Sequence, residues 1–343
     1  MITGRKPVAL GIDIGGTKIA AALVDERGSV LARERGPVAP ESNDAGLKSV
    51  CRVVDRLLDA APSARGQLAG IGAGCPGSID WRAGVVRGAA NLAWRDLPLA
   101  ERLATRYGVP TLLDNDVNVA AWGERSFDQS RPIVNGEDPV RLDHLVFITV
   151  GTGIGAGLIE AGRIVRGRQS AGEVGHIPIV EQGPRCPCGM VGCLEALAAG
   201  PALGAAGRAL AEREGAPRLI ELAGGRAAAI AAPHVIQAAA EGDAGARRLL
   251  DREGYYLALA VLIVSRMLDP QVVVMGGGLA EAGPPLFESI WTNLARLRPR
   301  GPCPQHFVVP ARRGAAAGAI GAAALVLRPE PGFVGTGLIA PRP

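Results

Sequence analysis

The feature that most constrains the fold is a pair of strands joined by a glycine turn, which occurs once in each half of the 343-residue chain. The apolar runs of "VALGIDIGGTKIAAALVDERGSVLARE" and "HLVFITVGTGIGAGLIEAGRIVRG" both predict strand, glycine turn, strand, short turn and strand. The predicted strands are 8–14, 18–24 and 29–33 in the first copy, and 145–150, 156–159 and 163–165 in the second. This approximate internal repeat occurs in a chain that is long enough for two domains of ordinary size, each with its own core.

The two glycine turns predict phosphate binding. A Rossmann fingerprint and a Walker loop both need a helix after the glycines, whereas β-forming residues follow here, so both are excluded. A bare turn would explain either loop alone. However, Thr17 and Lys18 follow the first loop, and Thr149 and Thr152 accompany the second. Exposed backbone N–H groups, hydroxyls and an ammonium group are what a phosphate needs.

A third glycine run, "MGGG", lies between a predicted strand at 271–275 and a predicted helix at 285–296. Two interpretations remain open for Gly276–Gly278. The run either holds a nucleoside or forms a tight turn.

The segment "VPTLLDNDVNVAAWGE" places Asp114, Asn115 and Asp116 between a predicted strand at 109–113 and a predicted helix that runs to about residue 124. Helix capping explains one such residue, but three in a row exceed what a cap requires. The helix dipole should keep a carboxylate here ionised. An ionised aspartate near a substrate hydroxyl can act as the general base of phosphoryl transfer. We therefore expect Asp116 to be the base and Asn115 a substrate hydrogen bonder.

One histidine and three cysteines predict a metal site. His176, Cys186, Cys188 and Cys193 give the spacing H-x9-C-x-C-x4-C, and one imidazole with three thiolates is a usual structural zinc set. The turn formers of "PCGMVG" suit a loop that wraps a metal. C-x-C is less common than C-x-x-C in such sites. A disulfide is less favoured, because the chain shows no export signal and its thiols should stay reduced.

Zinc at this position would also order a ligand-binding site. It would fix the segments that carry Glu173 and Glu195, and so hold two acids and an imidazole in place for a polyhydroxylated ligand. Asp13, beside the first glycine loop, either orients metal-bound phosphates or is a buried structural aspartate.

Composition excludes several other classes. The formal charge is only +4, and no run of five like charges occurs, so neither nucleic acid nor a membrane surface is an expected partner. Aromatic residues make up 3% of the chain, too few for a stacking platform. The longest apolar run, 255–264, predicts a buried helix rather than a membrane span. With no signal-peptide core, we expect a cytoplasmic protein.

Taken in order, several motifs resemble the ROK sugar kinases, and within that family most resemble the bacterial ATP-dependent glucokinases. The motifs are "DIGGTK", "GCPGSID", "NLAW", "DNDVNVAAWGE", "TVGTGIGAG", "AGEVGH", "CPCGMVGCLE" and "MGGG". The resemblance covers about 8–324 and implies an α/β, actin-like (ribonuclease-H-like) two-domain sugar kinase fold with a zinc-binding loop. It also implies the domain limits. These are a small domain at 1–115 completed by a C-terminal helix at 313–328, a large domain at 116–312 with the zinc site, and a flexible tail at 329–343.

The resemblance further implies transfer of phosphate from ATP to the 6-hydroxyl of glucose, with Asp116 removing the hydroxyl proton. Mg²⁺ would bridge the phosphate oxygens. His176 would coordinate a structural Zn²⁺ through one ring nitrogen and contact a sugar hydroxyl through the other. The implied sugar ligands are Gly77, Asn91, Asn115, Asp116, Glu173, His176 and Glu195. The implied nucleotide contacts are Asp13, Gly15, Gly16, Thr17, Lys18, Thr149, Gly151, Thr152, Gly153, Gly276, Gly277 and Gly278.

Several alternatives stay open at this point. The substrate is glucose, N-acetylmannosamine, N-acetylglucosamine or another hexose, and Asp114 stands where glutamate is common in glucokinases. The donor is ATP or polyphosphate. A repressor of the family would carry a helix-turn-helix domain before the first loop, and only seven residues precede Val8. A non-catalytic sugar-binding protein would not need Asp116 and Lys18 together. The connection at 127–143 has no assigned role, and we expect a homodimer, as is frequent in the family.

Overall fold

Each glycine turn of the sequence joins two neighbouring antiparallel strands of a five-stranded mixed sheet. The computed structural model describes residues 7–127, 142–297 and 308–331. The strands are β1 Val8–Ile14, β2 Lys18–Asp25, β3 Val30–Pro37, β4 Leu68–Cys75, β5 Ser78–Asp80, β6 Val85–Ala89, β7 Trp94–Leu97, β8 Thr111–Asn115, β9 Leu145–Val150, β10 Ile154–Glu160, β11 Arg163–Ile164, β12 Val272–Gly276 and β13 Val308–Pro310.

Helices cover both sheets. The α-helices are α1 Asn43–Ala60, α2 Pro62–Arg65, α3 Leu99–Tyr107, α4 Asp116–Phe127, α5 Leu194–Ala198, α6 Gly200–Glu214, α7 Pro217–Leu222, α8 Ala232–Ala240, α9 Ala244–Leu268, α10 Pro284–Leu297 and α11 Ala317–Leu327. Short 3-10 helices occupy Ala90–Leu92, Val174–His176, Ala227–Ala229, Ala280–Ala282 and Gly314–Ala316.

The two large sheets repeat one topology. The first has the order β3-β2-β1-β4-β8, and the second has the order β11-β10-β9-β12-β13. In both, an antiparallel meander of three strands is followed by two strands that run parallel to its first strand. We refer to the two halves as the small lobe and the large lobe. The internal repeat predicted from the sequence is therefore present, and the α/β two-lobed architecture is confirmed.

Several predicted strand limits differ from the structure. The strand expected at 109–113 is observed at Thr111–Asn115, because Pro110 has no N–H to donate to a sheet. It extends further than expected at its other end, where parallel pairing with β4 continues to Cys75 opposite Asn115. This extension brings the polar residues of "DND" to the carboxyl edge of the small-lobe sheet. The second copy also has a longer central strand, since β10 begins at Ile154.

The C-terminal helix α11 packs on the small lobe, although it follows the large lobe in sequence. Its backbone lies directly on β1 and β4, and a Cβ built on Gly11 or Gly72 would come within 1.8 Å of a helix carbonyl oxygen. Its other side contacts α4 equally closely, at Gly321 against Val119. Only glycine and alanine permit such short backbone separations. The small residues of "GAAAGAIGAAALVL" thus determine where this helix can pack.

In the large lobe, α6 to α10 form the helical layer. The apolar run 255–264 lies inside α9, where Leu257, Val261 and Val264 are buried, so the prediction of a buried helix is confirmed. Within the described ranges, none of the helices has the length and apolar character needed to cross a membrane.

Two regions that the sequence singles out lie mostly outside the described residues. Of the connection at 127–143, residues 128–141 are not described, and of the tail at 329–343, residues 332–343 are not described. The described start of the tail makes specific contacts. The carboxylate of Glu330 accepts a hydrogen bond of 2.9 Å from the Ile164 N–H and pairs with Arg166 at 2.8 Å.

Candidate active site

A cleft of about 1570 Å³ lies between the lobes, and it collects nearly all of the predicted site residues. Those that line it are Gly15, Gly16, Thr17, Lys18, Gly77, Asn91, Asn115, Asp116, Thr149, Gly151, Thr152, Gly153, Glu173, His176, Glu195, Gly277 and Gly278. Two predicted nucleotide contacts are not among the lining residues. Asp13 lies near the end of β1 beneath the first loop, and Gly276 is buried at the end of β12.

Asn115 and Asp116 occupy the junction between β8 and α4. The Asn115 Oδ1 atom accepts hydrogen bonds from the N–H groups of Val117 at 2.9 Å and Asn118 at 3.3 Å, which is the geometry of a helix cap. Its Nδ2 atom is directed instead towards the Gly77 carbonyl, at 3.5 Å. One side chain therefore caps the helix with its oxygen and offers its amide group to the cleft.

The carboxylate of Asp116 is partly buried at the floor of the cleft. Burial raises its pKa to about 7, and the negative charges of Asp13 and Glu173 act in the same direction. The hydrogen bond from the Val117 N–H, 3.0 Å long, lowers the pKa but does not offset the loss of solvation. The expectation that the helix start keeps Asp116 fully ionised is therefore wrong. A pKa near 7 nonetheless suits a group that must accept a proton at neutral pH.

The negative charge of Asp13 acts on Asp116, so the two acids lie near each other although Asp13 does not line the cleft. Burial raises the pKa of Asp13 to about 6, and the positive charges of Lys18 and Arg35 partly oppose this rise. The first turn of α11 lies against the carboxyl group, because a Cβ on Gly318 would be 2.4 Å from it. This side chain therefore links the first glycine loop, the base candidate and the returning helix.

Both phosphate-loop candidates are tight turns that open onto the cleft. The Gly15 N–H donates to the Lys18 carbonyl at 2.8 Å, and the Gly151 N–H donates to the Gly153 carbonyl at 2.9 Å. The two loops extend from the two lobes and line the same cleft. A triphosphate chain could contact both at once only in such an arrangement.

The third glycine run packs directly on the second loop. Gly277 has φ +87°, and a Cβ there would be 2.5 Å from the Val150 carbonyl oxygen. The Leu279 N–H donates to that oxygen at 2.9 Å. The geometry of a tight turn is thus present, and because Gly277 and Gly278 line the cleft, a role in nucleoside binding is compatible with it.

The predicted metal ligands converge. The ring nitrogen and sulfur atoms of His176, Cys186, Cys188 and Cys193 all lie within 4.8 Å of one another. The Cys186 Sγ is 3.5 Å from the His176 Nδ1, and the Cys188 Sγ is 3.7 Å from the Cys193 Sγ. Ligand bonds of about 2.3 Å to sulfur and about 2.0 Å to nitrogen give tetrahedron edges of about 3.6–3.8 Å. The donor set and its spacing therefore fit Zn²⁺.

The orientation of His176 agrees with the predicted double use of its ring. Nδ1 is directed to the thiols, whereas Nε2 lies on the cleft side, 3.9 Å from Glu173 Oε2. Glu195 follows Cys193 on α5, and its Oε2 atom accepts a hydrogen bond of 2.9 Å from the Ile154 N–H. The cysteine segment and the second glycine loop hold Glu195 from two sides.

The sequence interpretation missed several residues that line the cleft. Trp81, Arg166 and Gln169 lie at the end near Asn115, and Arg208, Gln237 and Glu281 lie near the third glycine run. They share no spacing or motif, since they come from separate turns and helices of both lobes. Only the folded chain brings them together.

Two sheets of one topology, with glycine turns that face each other across a cleft, define the actin-like (ribonuclease-H-like) class of two-lobed phosphotransferases. The described fold and site agree with that class. The model of the ROK family matches residues 9–329. The chain belongs to the ROK family.

Relatives and solved structures agree with this assignment. The chain is 34% identical over 330 residues to a glucokinase of Streptomyces coelicolor, which covers 94% of this chain and 99% of that relative. It is 32% identical over 276 residues to an N-acetylmannosamine kinase of Escherichia coli O157:H7, covering 79% of this chain and 84% of the relative. Among solved structures, a ROK family glucokinase from Streptomyces griseus in complex with glucose and AMPPNP is 32% identical. It aligns with a TM-score of 0.79 over 93% of this chain and 98% of that one.

Proposed function

We propose that this chain is an ATP-dependent hexose kinase that transfers the γ-phosphoryl group of ATP to the 6-hydroxyl of glucose. The observation that carries this proposal is the position of Asp116. Its carboxylate lines a cleft shared by two glycine loops, and its pKa of about 7 permits proton transfer at neutral pH. Glucokinases among the relatives, one of them solved with glucose and AMPPNP, support the choice of reaction.

In this proposal the chain's own groups position and deprotonate the acceptor. Asn115 Nδ2, Glu173, His176 Nε2 and Glu195 hold the sugar hydroxyls, and Asp116 takes the proton from the hydroxyl that attacks phosphorus. Backbone N–H groups of the two loops and the Lys18 ammonium bind the phosphates of ATP. Approach of the lobes excludes water that would otherwise hydrolyse ATP.

Magnesium fits the same site. Mg²⁺ prefers one or two carboxylates together with substrate phosphates, and Asp13 offers a carboxylate beneath the first loop. When bound, the ion neutralises charge that develops on the phosphate oxygens. Lys18 and the loop N–H groups act on that charge in the same direction.

Zinc would have a structural role in this enzyme. His176, Cys186, Cys188 and Cys193 would complete the four-ligand set that structural zinc sites use, so no position would remain open for catalysis. It would fix the His176 ring so that Nε2 is available to a sugar hydroxyl, and fix the start of α5, which carries Glu195.

The choice of sugar rests on the relatives. Asp114, which replaces a glutamate common in glucokinases, does not argue against glucose, because both its carboxylate oxygens are engaged within the protein. Oδ1 accepts from the Asn115 N–H at 2.8 Å, and Oδ2 accepts from Arg166 Nε at 2.7 Å. The N-acetylmannosamine kinase among the relatives makes an amino-sugar kinase the second candidate.

A coupled assay with a panel of sugars tests the proposal. With ATP as donor, glucose should give the highest kcat/KM among glucose, mannose, N-acetylmannosamine and N-acetylglucosamine. A clear preference for an N-acetylated sugar would replace glucose by the second candidate. Polyphosphate in place of ATP should support no comparable rate, and light scattering on the same sample should give the mass of a homodimer.

A further inference from the structure

Arg166 is a nearly buried arginine that joins both lobes and the C-terminal tail. It follows β11 in the large lobe, and its side chain is 9% exposed. Its Nε atom donates to Asp114 Oδ2 at 2.7 Å, and its Nη1 atom donates to Glu330 Oε2 at 2.8 Å. Its guanidinium carbon lies over the ring of Trp81, 4.2 Å from the centroid. Asp114 and Trp81 belong to the small lobe, so one guanidinium group contacts three separate parts of the chain.

Asp114 connects this arginine to the proposed catalytic segment. Its side chain is 4% exposed, and the oxygen that does not contact Arg166 accepts hydrogen bonds from the Asn115 N–H at 2.8 Å and Asn118 Nδ2 at 2.9 Å. A shift of the Asp114 carboxylate would therefore move the backbone immediately before Asp116. It would also move the amide of Asn115 that is directed into the cleft.

Glu330 fixes Arg166 from the opposite side. Its carboxylate is also 9% exposed, and its second oxygen is occupied by the Ile164 N–H at 2.9 Å. The chain reaches this position from the end of α11. The indole N–H of Trp122 donates there to the Ala324 carbonyl at 3.3 Å and the Arg328 carbonyl at 3.0 Å. Trp122 belongs to α4, the helix that begins at Asp116.

A buried group of three charges is a poor source of stability, because the loss of solvation offsets most of the attraction between the charges. In some proteins such groups contribute a unique geometry rather than stability. Here the enforced geometry is that of the polypeptide beside Asn115 and Asp116. No sugar or phosphate contact named above needs Arg166 or Glu330.

We propose that Arg166 is a positioning residue for Asn115 and Asp116, and that Glu330 holds Arg166 in the required orientation, which makes the first residues of the C-terminal tail part of the catalytic apparatus. This inference rests on the proposed hexose kinase activity. It assigns to Glu330, outside the cleft, an effect on sugar binding and phosphoryl transfer.

Steady-state kinetics of the full chain test it, with ATP and glucose and with rates corrected for the folded fraction. The variants are Arg166→Met, Arg166→Lys and Glu330→Gln. The control is Arg163→Met, an exposed arginine three residues upstream on β11. Because small misplacements of catalytic groups cost up to about 100-fold, Arg166→Met should lower kcat and raise the glucose KM, by about 10- to 100-fold in kcat/KM. The ATP KM should change less than about twofold, since the phosphate loops are not displaced.

Arg166→Lys and Glu330→Gln should act in the same direction with smaller effects, and Arg163→Met should match the wild type. If Arg166→Met does not fold, Arg166→Lys and Glu330→Gln still test the positioning role. Neither of them leaves two buried carboxylates without a cation. Glu330→Gln should add nothing to an Arg166→Met background, as two residues that act through one contact are not additive.

Three results would overturn the inference. If the Arg166 variants give less folded enzyme but keep the wild-type kcat and the wild-type KM values for glucose and ATP, Arg166 serves only folding. If Glu330→Gln lowers kcat/KM by the same factor in the wild type and in the Arg166→Met background, the tail does not act through the arginine. Unchanged kinetics in all variants show that neither residue positions the site. If the wild type phosphorylates no hexose, the proposed function itself fails, and glucose binding measured by calorimetry on the same variants still tests the positioning of Asn115.

Discussion

Glu195 accepts a hydrogen bond of 2.9 Å from the backbone N–H of Ile154, and this contact joins the cysteine segment to the second glycine loop. The two segments lie about forty residues apart in sequence, and each belongs to a different predicted function, metal binding in one case and phosphate binding in the other. A Cβ on Gly153 would be 2.5 Å from Glu195 Oε2, so a side chain at this position would displace the Glu195 carboxylate. The proposed sugar ligand and the proposed phosphate loop are thus adjacent.

The first prediction concerns this contact. Glu195→Gln keeps a carbonyl oxygen that can accept from the Ile154 N–H, whereas Glu195→Ala removes the acceptor. A hydrogen bond to a charged group is worth about 1.5–3 kcal/mol, so both variants should raise the glucose KM by about 10- to 100-fold. Only Glu195→Ala should also raise the ATP KM. Equal ATP KM values in the two variants would show that the loop does not depend on Glu195.

The second prediction concerns the base. Asp116→Asn keeps the size of the side chain and its hydrogen bond with Val117 but cannot take a proton. General base catalysis contributes about 10²- to 10⁴-fold, so kcat should fall by that amount. Glucose binding, measured by calorimetry, should stay within a few-fold of the wild type. A variant with near-normal turnover would exclude Asp116 as the base.

The third prediction follows from the raised pKa of about 7 at Asp116. A base acts only when it is deprotonated, so kcat/KM for glucose should rise about tenfold per pH unit below pH 7 and level off above it. The residual activity of Asp116→Asn should lack this dependence. A wild-type profile that is flat between pH 5.5 and 7.5 would contradict the assignment.

The fourth prediction concerns the metal. Elemental analysis should find about one zinc per chain, because one imidazole and three thiols form a complete tetrahedral set. Removal by a chelator, or Cys186→Ser, should raise the glucose KM and lower the melting temperature. Cys51→Ser, in the small lobe, is the matched control and should retain both zinc and activity. A metal-free preparation with full activity would refute the site.

The fifth prediction concerns Glu253, which is 3% exposed in α9 and has an Oε1 atom without a hydrogen-bond partner in the described part of the chain. Burial raises the pKa of Glu253 to about 8 from an ordinary value of 4.5. Between these values the unfolded chain is ionised and the folded chain is protonated, so unfolding releases a proton and stability falls as pH rises. The loss between pH 5 and 8 should be on the order of 3 kcal/mol.

Denaturant unfolding of Glu253→Gln at both pH values checks this prediction. The variant should lose less stability than the wild type between pH 5 and 8, because its amide does not titrate. Glu288→Gln, an exposed position on α10, should follow the wild type. If Glu253→Gln loses as much stability between pH 5 and 8 as the wild type, Glu253 does not titrate in this range.

The amino-acid sequence by itself determined the repeated strand and glycine-turn pattern, the ROK family and the four residues of the metal cluster. These features are local. Alternation of apolar residues, turn glycines and ligand spacing act over a few neighbours, so the pattern of residues specifies them directly. The limits of β8 were less certain, because pairing with β4, rather than local preference, carries that strand to Asn115.

Only the tertiary structure decided the protonation of Asp116 and the surroundings of Arg166. A pKa depends on how much water the folded chain removes and which charges it brings near, and Asp13 is more than one hundred residues from Asp116 in sequence. Arg166 likewise meets Asp114 and Trp81 only where the two lobes contact each other, and Glu330 reaches Arg166 because α11 returns to the small lobe. Contacts between distant segments are a property of the packed chain, and no spacing within the sequence encodes them.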